Sequence, residues 1–94
     1  MIISFADKET AKIFNGEISR KFPPEIQLRA QDRMVLMGRA RKLDDLRIPP
    51  SNHLECLVGN RAGQYSIRIN SQYRICFNWA GFHATDVEIV DYHR

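Results

Sequence analysis

Arg68 and Arg74 are the residues of this chain whose type and spacing point most directly to chemistry. They lie at the facing ends of two runs, Gln64 to Ile69 and Tyr73 to Trp79, which are parted by Asn70-Ser71-Gln72 and alternate apolar with polar residues. In a hairpin, that alternation sends both arginines to the polar face. Two guanidiniums on one face can hold a phosphodiester and stabilise charge on a pentavalent phosphorus during internal cleavage. The competing reading is a surface ion pair, or a stem laid over apolar surface.

A second group, Asp91-Tyr92-His93, leaves the last apolar run, Val87-Glu88-Ile89-Val90. An imidazole exchanges a proton near neutral pH, and a phenol stacks on a base or donates a hydrogen bond, so His93 and Tyr92 are acid–base and positioning candidates. An unpaired tail would have the same composition. RNA carries its own nucleophile, the 2′-hydroxyl, so a nuclease built from these residues needs neither a protein nucleophile nor necessarily a metal. Asp44, Asp45, Asp86, Glu88 and Asp91 have no accompanying ligand set, and neither a metal nor a cofactor is expected. His53, after Pro49-Pro50-Ser51-Asn52, is placed either to contact RNA or to be satisfied within its loop. Trp79 is assigned to core packing and Tyr92 to substrate stacking.

Net charge is only +3, an ordinary value for solubility, but its distribution is uneven. Between residues 20 and 42, Arg20, Lys21, Arg29, Arg33, Arg39, Arg41 and Lys42 face only Glu25 and Asp32, an excess of seven minus two, or five, positive charges. That field attracts RNA or an acidic protein partner, with Arg41 and Lys42 as RNA- or ribosome-binding candidates; a solvated helix face is the plain alternative.

The elements that must position these groups follow from period and punctuation. Ninety-four residues suit one domain, 1–94, with one small core. Ile2 to Phe5 reads as a short strand, and Asp7 as the N-cap of a helix through Phe14 or Asn15 that Gly16 ends. Pro23 and Pro24 suit the start of a second helix, in which Ile26, Ala30, Met34 and Met37 share one face; Gly38 weakens its end. Leu43 to Ile48 reads as a helical turn. Four strands are then expected, Leu54 to Val58, Gln64 to Ile69, Tyr73 to Trp79 and Thr85 to Val90, joined as an antiparallel meander. The result is an α+β, two-layer fold that buries Ile67, Ile69, Ile75, Phe77, Val87 and Ile89 against Phe14, Ile26, Met34 and Met37. Cys56 and Cys76 read as isolated buried thiols rather than a disulfide. The start of the chain lacks a signal-peptide pattern and no segment approaches a membrane span, so a cytoplasmic location with no membrane association is expected.

Taken together, the segments Met1 to Phe5, Leu46-Arg47-Ile48-Pro49-Pro50, Leu57 to Asn70, Tyr73 to Phe77 and Val90-Asp91-Tyr92-His93 resemble a HigB-type toxin of the RelE/ParE superfamily over essentially the whole chain. The resemblance implies a compact RelE/ParE-like sheet with two N-terminal helices packed on it. It implies a toxin of a type II toxin-antitoxin system that cleaves mRNA in the A site of the 70S ribosome by 2′-hydroxyl attack. It further implies a HigA-type helix-turn-helix antitoxin from the same operon, with promoter DNA reached only through that antitoxin. Arg68, Arg74, Tyr92 and His93 match places where the resemblance implies that phosphate holding and proton transfer could be carried, and Asp91 is a candidate to orient His93.

The match departs at Leu54-Glu55-Cys56-Leu57-Val58-Gly59, where the better-known pattern resembles His-Pro-Leu-Lys-Gly. Glu55 stands in the histidine-matching place and Val58 in the lysine-matching place. Glu55 is therefore a candidate acceptor of the 2′-hydroxyl proton, or else a surface carboxylate. Arg61, in the Gly59–Gly63 loop, is a candidate replacement for the missing phosphate-contacting charge, or else a loop or ribosome contact. The superfamily also holds a gyrase-directed ParE-like branch on a similar fold, and that activity, or a weakly catalytic ribosome-binding toxin, is the alternative.

Overall fold

The Asp7 carboxylate accepts from the Thr10 N–H at 2.7 Å and from the Thr10 hydroxyl at 3.0 Å, satisfying an N–H that a helix start leaves unpaired. Helix α1, Lys8–Phe14, begins there, and the chain reverses at Gly16 with φ of 84°, a conformation that a side chain would strain. Pro24 opens α2, Pro24–Arg39, at a position where its missing N–H costs nothing. Ile26, Ala30, Met34 and Met37 are all buried, so the helical stripe faces the core as expected, and Gly38 is accommodated one residue before the end. The computed structural model describes residues 1–92, and His93 lies outside them.

A 3-10 turn at Leu43–Arg47 and another at Pro50–Asn52 carry the chain to the sheet. Asn52, fully buried, donates to the Leu46 carbonyl at 3.1 Å and the Ile48 carbonyl at 3.4 Å, tying the two turns together. The sheet is antiparallel with strand order β1 (Glu55–Cys56), β2 (Tyr65–Arg68), β3 (Tyr73–Ala80) and β4 (His83–Asp91). The expected Leu54 to Val58 strand shortens to two residues. Leu57 still donates to the Gln64 carbonyl at 2.8 Å, but Gly59 then turns the chain into a 3-10 segment and leaves Val58 85% exposed. Cys56, expected to be buried, is exposed on this short edge strand. Ile2 and Phe5 do not form a full strand; they make isolated parallel bridges to Ala84 and Val87 of β4.

The two helices cover one sheet face, where Ile67, Ile69, Ile75, Phe77, Val87 and Ile89 meet Ile13, Ile26, Met34 and Met37, with Phe14 partly buried at the margin. Trp79 packs edge-on against Phe77 at 6.3 Å and is core-associated, as assigned. Between Thr85 and Glu88 one extra residue enters β4 as a bulge, with Asp86 at φ of 52°. The bulge lets Ala84 and Val87, three residues apart, both reach the core. Phe77→Ala is expected to cost about 3–5 kcal/mol in chemical denaturation, because the whole ring is enclosed. That loss is a large fraction of the roughly 5–15 kcal/mol by which a typical domain is stable. No helix among the described residues is long and apolar enough to cross a membrane.

Candidate active site

The sheet face away from the helices is not simply solvated. Ser66 and Cys76 are fully buried and Arg74 is 8% exposed, although alternation assigns all three to the polar face. Cross-strand register aligns Glu55, Ser66, Cys76 and Glu88 in one row and Arg68, Arg74 and Val90 in the next. Burial pushes the Cys76 thiol up, with Arg61 and Arg74 opposing and Glu88 reinforcing the shift. A water-soluble thiol reagent is therefore expected to label Cys56 in the folded protein and to reach Cys76 only on unfolding. Labelling of both thiols at equal rates without denaturant would contradict this packing.

Arg74 is held from several sides. Its Nε donates to Ser66 Oγ at 2.7 Å, Nη2 donates to the carbonyl of His53 and, at 3.3 Å, to that of Ser66, and Nη1 lies 3.4 Å from Glu55 Oε1. A buried guanidinium needs such partners, since desolvation without them is costly. His53 supplies its carbonyl from a left-handed backbone, φ 45° and ψ 58°, unusual for a residue with a side chain. This pose brings the carbonyl to Arg74, and His53 lines the adjoining cleft. Local strain of this kind persists where the surroundings over-determine it.

His53, Glu55, Arg68, Asn70, Ser71, Arg74 and Tyr92 line an open cleft of about 370 Å³. Arg68 is the direct cross-strand partner of Arg74, yet it has no hydrogen bond or ion pair among the described residues. Two like charges placed opposite one another repel, and an anion between them relieves that repulsion. The Arg74 guanidinium also lies 5.8 Å from the centre of the Tyr92 ring. The cleft thus combines a free cation, a fixed cation, an exposed carboxylate and a phenol, a set suited to binding a phosphodiester and moving a proton beside it.

Five of the sequence candidates, Glu55, His53, Arg68, Arg74 and Tyr92, therefore meet in one place. Asp91 does not line the cleft. It pairs in register with Tyr73, and its carboxylate accepts from Gln72 Nε2 at 3.1 Å. Arg61 lies in a separate polar cavity with Asn60, Ala62, Gln64 and Asn78, where its Nη1 donates to Gln64 at 3.0 Å and Glu88 at 3.1 Å. Arg41 and Lys42 are exposed beyond the cleft lining, and their backbone N–H groups donate to Asp45, holding its carboxyl below the usual range. His93 is outside the described residues. Ser66, Asn70 and Ser71 were not singled out from sequence. Alternation already places Ser66 on the arginine face, but Asn70 and Ser71 carried only a turn signal.

The profile of the HigB-like toxin family, the RelE-like toxin of the type II toxin-antitoxin system HigB, matches residues 3–93. The chain belongs to that family. Toxin HigB-1 of Vibrio cholerae serotype O1 is 36% identical to this HigB-like toxin over 80 residues, 84% of each chain. An uncharacterized protein of Haemophilus influenzae is 33% identical over 64 residues, covering 68% of the HigB-like chain and 63% of its own length. The fold also matches a chain of the YoeB–YefM complex from Staphylococcus aureus with a TM-score of 0.61, covering 100% of the HigB-like toxin and 97% of that chain. At 16% identity, that likeness speaks for architecture alone. The helices on a four-stranded antiparallel sheet are thus a RelE-type fold carrying a HigB-like toxin sequence.

Proposed function

We propose that this HigB-like toxin is a ribosome-dependent endoribonuclease that cleaves mRNA in the A site of the 70S ribosome and so stops translation. The observation that carries the reading is the convergence of Arg68, Arg74, Glu55 and Tyr92 on one open cleft. Glu55 accepts the proton of an RNA 2′-hydroxyl, the freed oxygen attacks the adjacent phosphorus, and the bond to the following 5′-oxygen breaks. A cyclic phosphate and a 5′-hydroxyl end result. Arg68 and Arg74 hold the phosphate and the charge that develops on it. Tyr92 and His93 are assigned to orienting the base and protonating the leaving oxygen, and Asp91 to orienting His93.

The ribosome completes the site by presenting and stretching the mRNA, which a shallow cleft on a 94-residue chain does not do alone. His53 contacts RNA from the rim, while Arg61, Arg41 and Lys42, outside the cleft, are assigned to ribosomal RNA. The chain acts as one toxin domain in the cytoplasm. A HigA-type helix-turn-helix antitoxin neutralises it and brings the pair to promoter DNA.

The test is 5′-end mapping of a defined mRNA on programmed ribosomes with purified, antitoxin-free toxin, beside ribosome-free RNA. New A-site ends that require ribosomes are expected. Inhibited DNA supercoiling with no RNA ends would replace this reading by the gyrase-directed one.

A further inference from the structure

Beyond the ladder pairing of Asp91 with Tyr73, two contacts at the end of β4 converge on Gln72 in the turn between β2 and β3. The Gln72 carbonyl accepts from the Tyr92 N–H, while its side-chain Nε2 donates to Asp91 Oδ2 at 3.1 Å. The Gln72 N–H in turn donates to Asn70 Oδ1 at 2.8 Å, and the Tyr73 N–H donates to the same oxygen at 2.7 Å, so the turn that carries Gln72 is itself fixed. Gln72 does not line the cleft.

Register explains why two grips are needed. Asp91 stands opposite Tyr73, a core-face residue, and Val90 opposite Arg74 on the open face, so the next step of alternation returns Tyr92 to the side of Arg74. One hydrogen bond fixes the Asp91 carboxylate and the other fixes the backbone one residue on. Together they hold the end of β4 at two points. Untied at both points, the end of β4 would sample many ring positions, of which the 5.8 Å approach of Tyr92 to Arg74 would be one.

We infer that Gln72 is a positioning residue of this toxin: acting through Asp91 and the Tyr92 backbone, it sets the Tyr92 phenol over Arg74 without touching RNA. The inference rests on the RNA-cleaving reading of the cleft for its consequence, though not for its geometry. It also gives Asp91 a part to play from outside the cleft, as the acceptor by which the turn holds the strand end.

The test compares Gln72→Ala, Gln72→Glu and Gln72→Arg by hydrogen exchange at the Tyr92 amide, by Tm, and by kcat and KM for ribosome-bound mRNA. Alanine removes the donor, and glutamate sets a second carboxylate against Asp91. For both, Tyr92 exchange is expected to accelerate about tenfold while Ile75 and Ile89 keep their protection. Their kcat should fall about 10–100-fold with KM little changed, since a misplaced group costs catalysis more than binding. Arginine restores a donor to Asp91 and should recover both readouts. In an Asp91→Ala background, Gln72→Ala should add nothing further.

Unchanged Tyr92 exchange in Gln72→Ala would overturn the inference. So would a rise in KM at constant kcat, which would make Gln72 an RNA contact. If the unaltered protein cleaves no RNA, the reading of the cleft fails, and the exchange and rescue measurements still decide whether Gln72 positions Tyr92.

Discussion

Replacing Arg74 with alanine is expected to lower mRNA cleavage by about 10²–10³-fold, the usual loss when a preorganised donor to a developing anion is removed. Arg74 differs from an ordinary surface cation because four contacts fix it before any substrate arrives. The same contacts give the change a stability cost. Ser66 Oγ and two carbonyls lose a donor, whereas Glu55, with a side chain 55% exposed, is simply returned to water. The cost is therefore nearer the roughly 1–3 kcal/mol of unsatisfied buried polar groups than the larger penalty for a stranded buried charge. Arg74→Lys separates the two effects, because a single ammonium cannot reproduce the fork of donors. It should recover part of the stability and little of the activity. Arg68→Ala provides the contrast. Arg68 has no hydrogen-bonded partner among the described residues, so its loss should reduce cleavage while leaving denaturation unchanged or slightly improved. Equal destabilisation by the two alanine variants would show that the fixed and free arginines have been misassigned.

Glu55→Gln is expected to lower kcat by about 10²–10⁴-fold while changing stability by less than about 1 kcal/mol, because it removes a proton acceptor but conserves shape at an exposed position. The carboxylate lies 3.4 Å from Arg74 Nη1 and Glu55 lines the cleft, so the ion pair holds it beside the proposed phosphate site. Glu55→His offers an imidazole at the place where the related pattern carries histidine, and it should regain part of the rate with a pH optimum shifted toward neutrality. Single-turnover cleavage on programmed ribosomes is the measurement to make. Wild-type rates in Glu55→Gln would move the proton to another acceptor, with His53, which also lines the cleft, the first to examine.

What could be read directly from the chain is the part of the structure controlled by local rules. Asp7 and Pro24 mark helix starts because each answers the unpaired N–H groups of a first turn. The stripe from Ile26 to Met37 faces the core because 3.6 residues make a turn, and Ile67, Ile69, Ile75 and Phe77 do so because strand side chains alternate. The same alternation brought Arg68 and Arg74 to one face, and the short hairpin turn set them opposite each other. Glu55 was legible only as a carboxylate in an unexpected place.

Only the tertiary structure decided which polar groups cooperate. The Glu55–Arg74 pair joins residues 19 positions apart in sequence, and the His53 carbonyl reaches Arg74 because a left-handed residue ends a 3-10 turn. Arg61 could serve the phosphate on sequence grounds, but folding commits it to Glu88 in another cavity. The bulge that brings Ala84 and Val87 to the same side breaks the period on which a strand is recognised, and the short β1 follows from a turn at Gly59 instead of from the β-forming residues around it. Periodicity reports the face on which a side chain lies. Which distant group meets it there depends on register and loop closure, and these are set by contacts made across the whole chain.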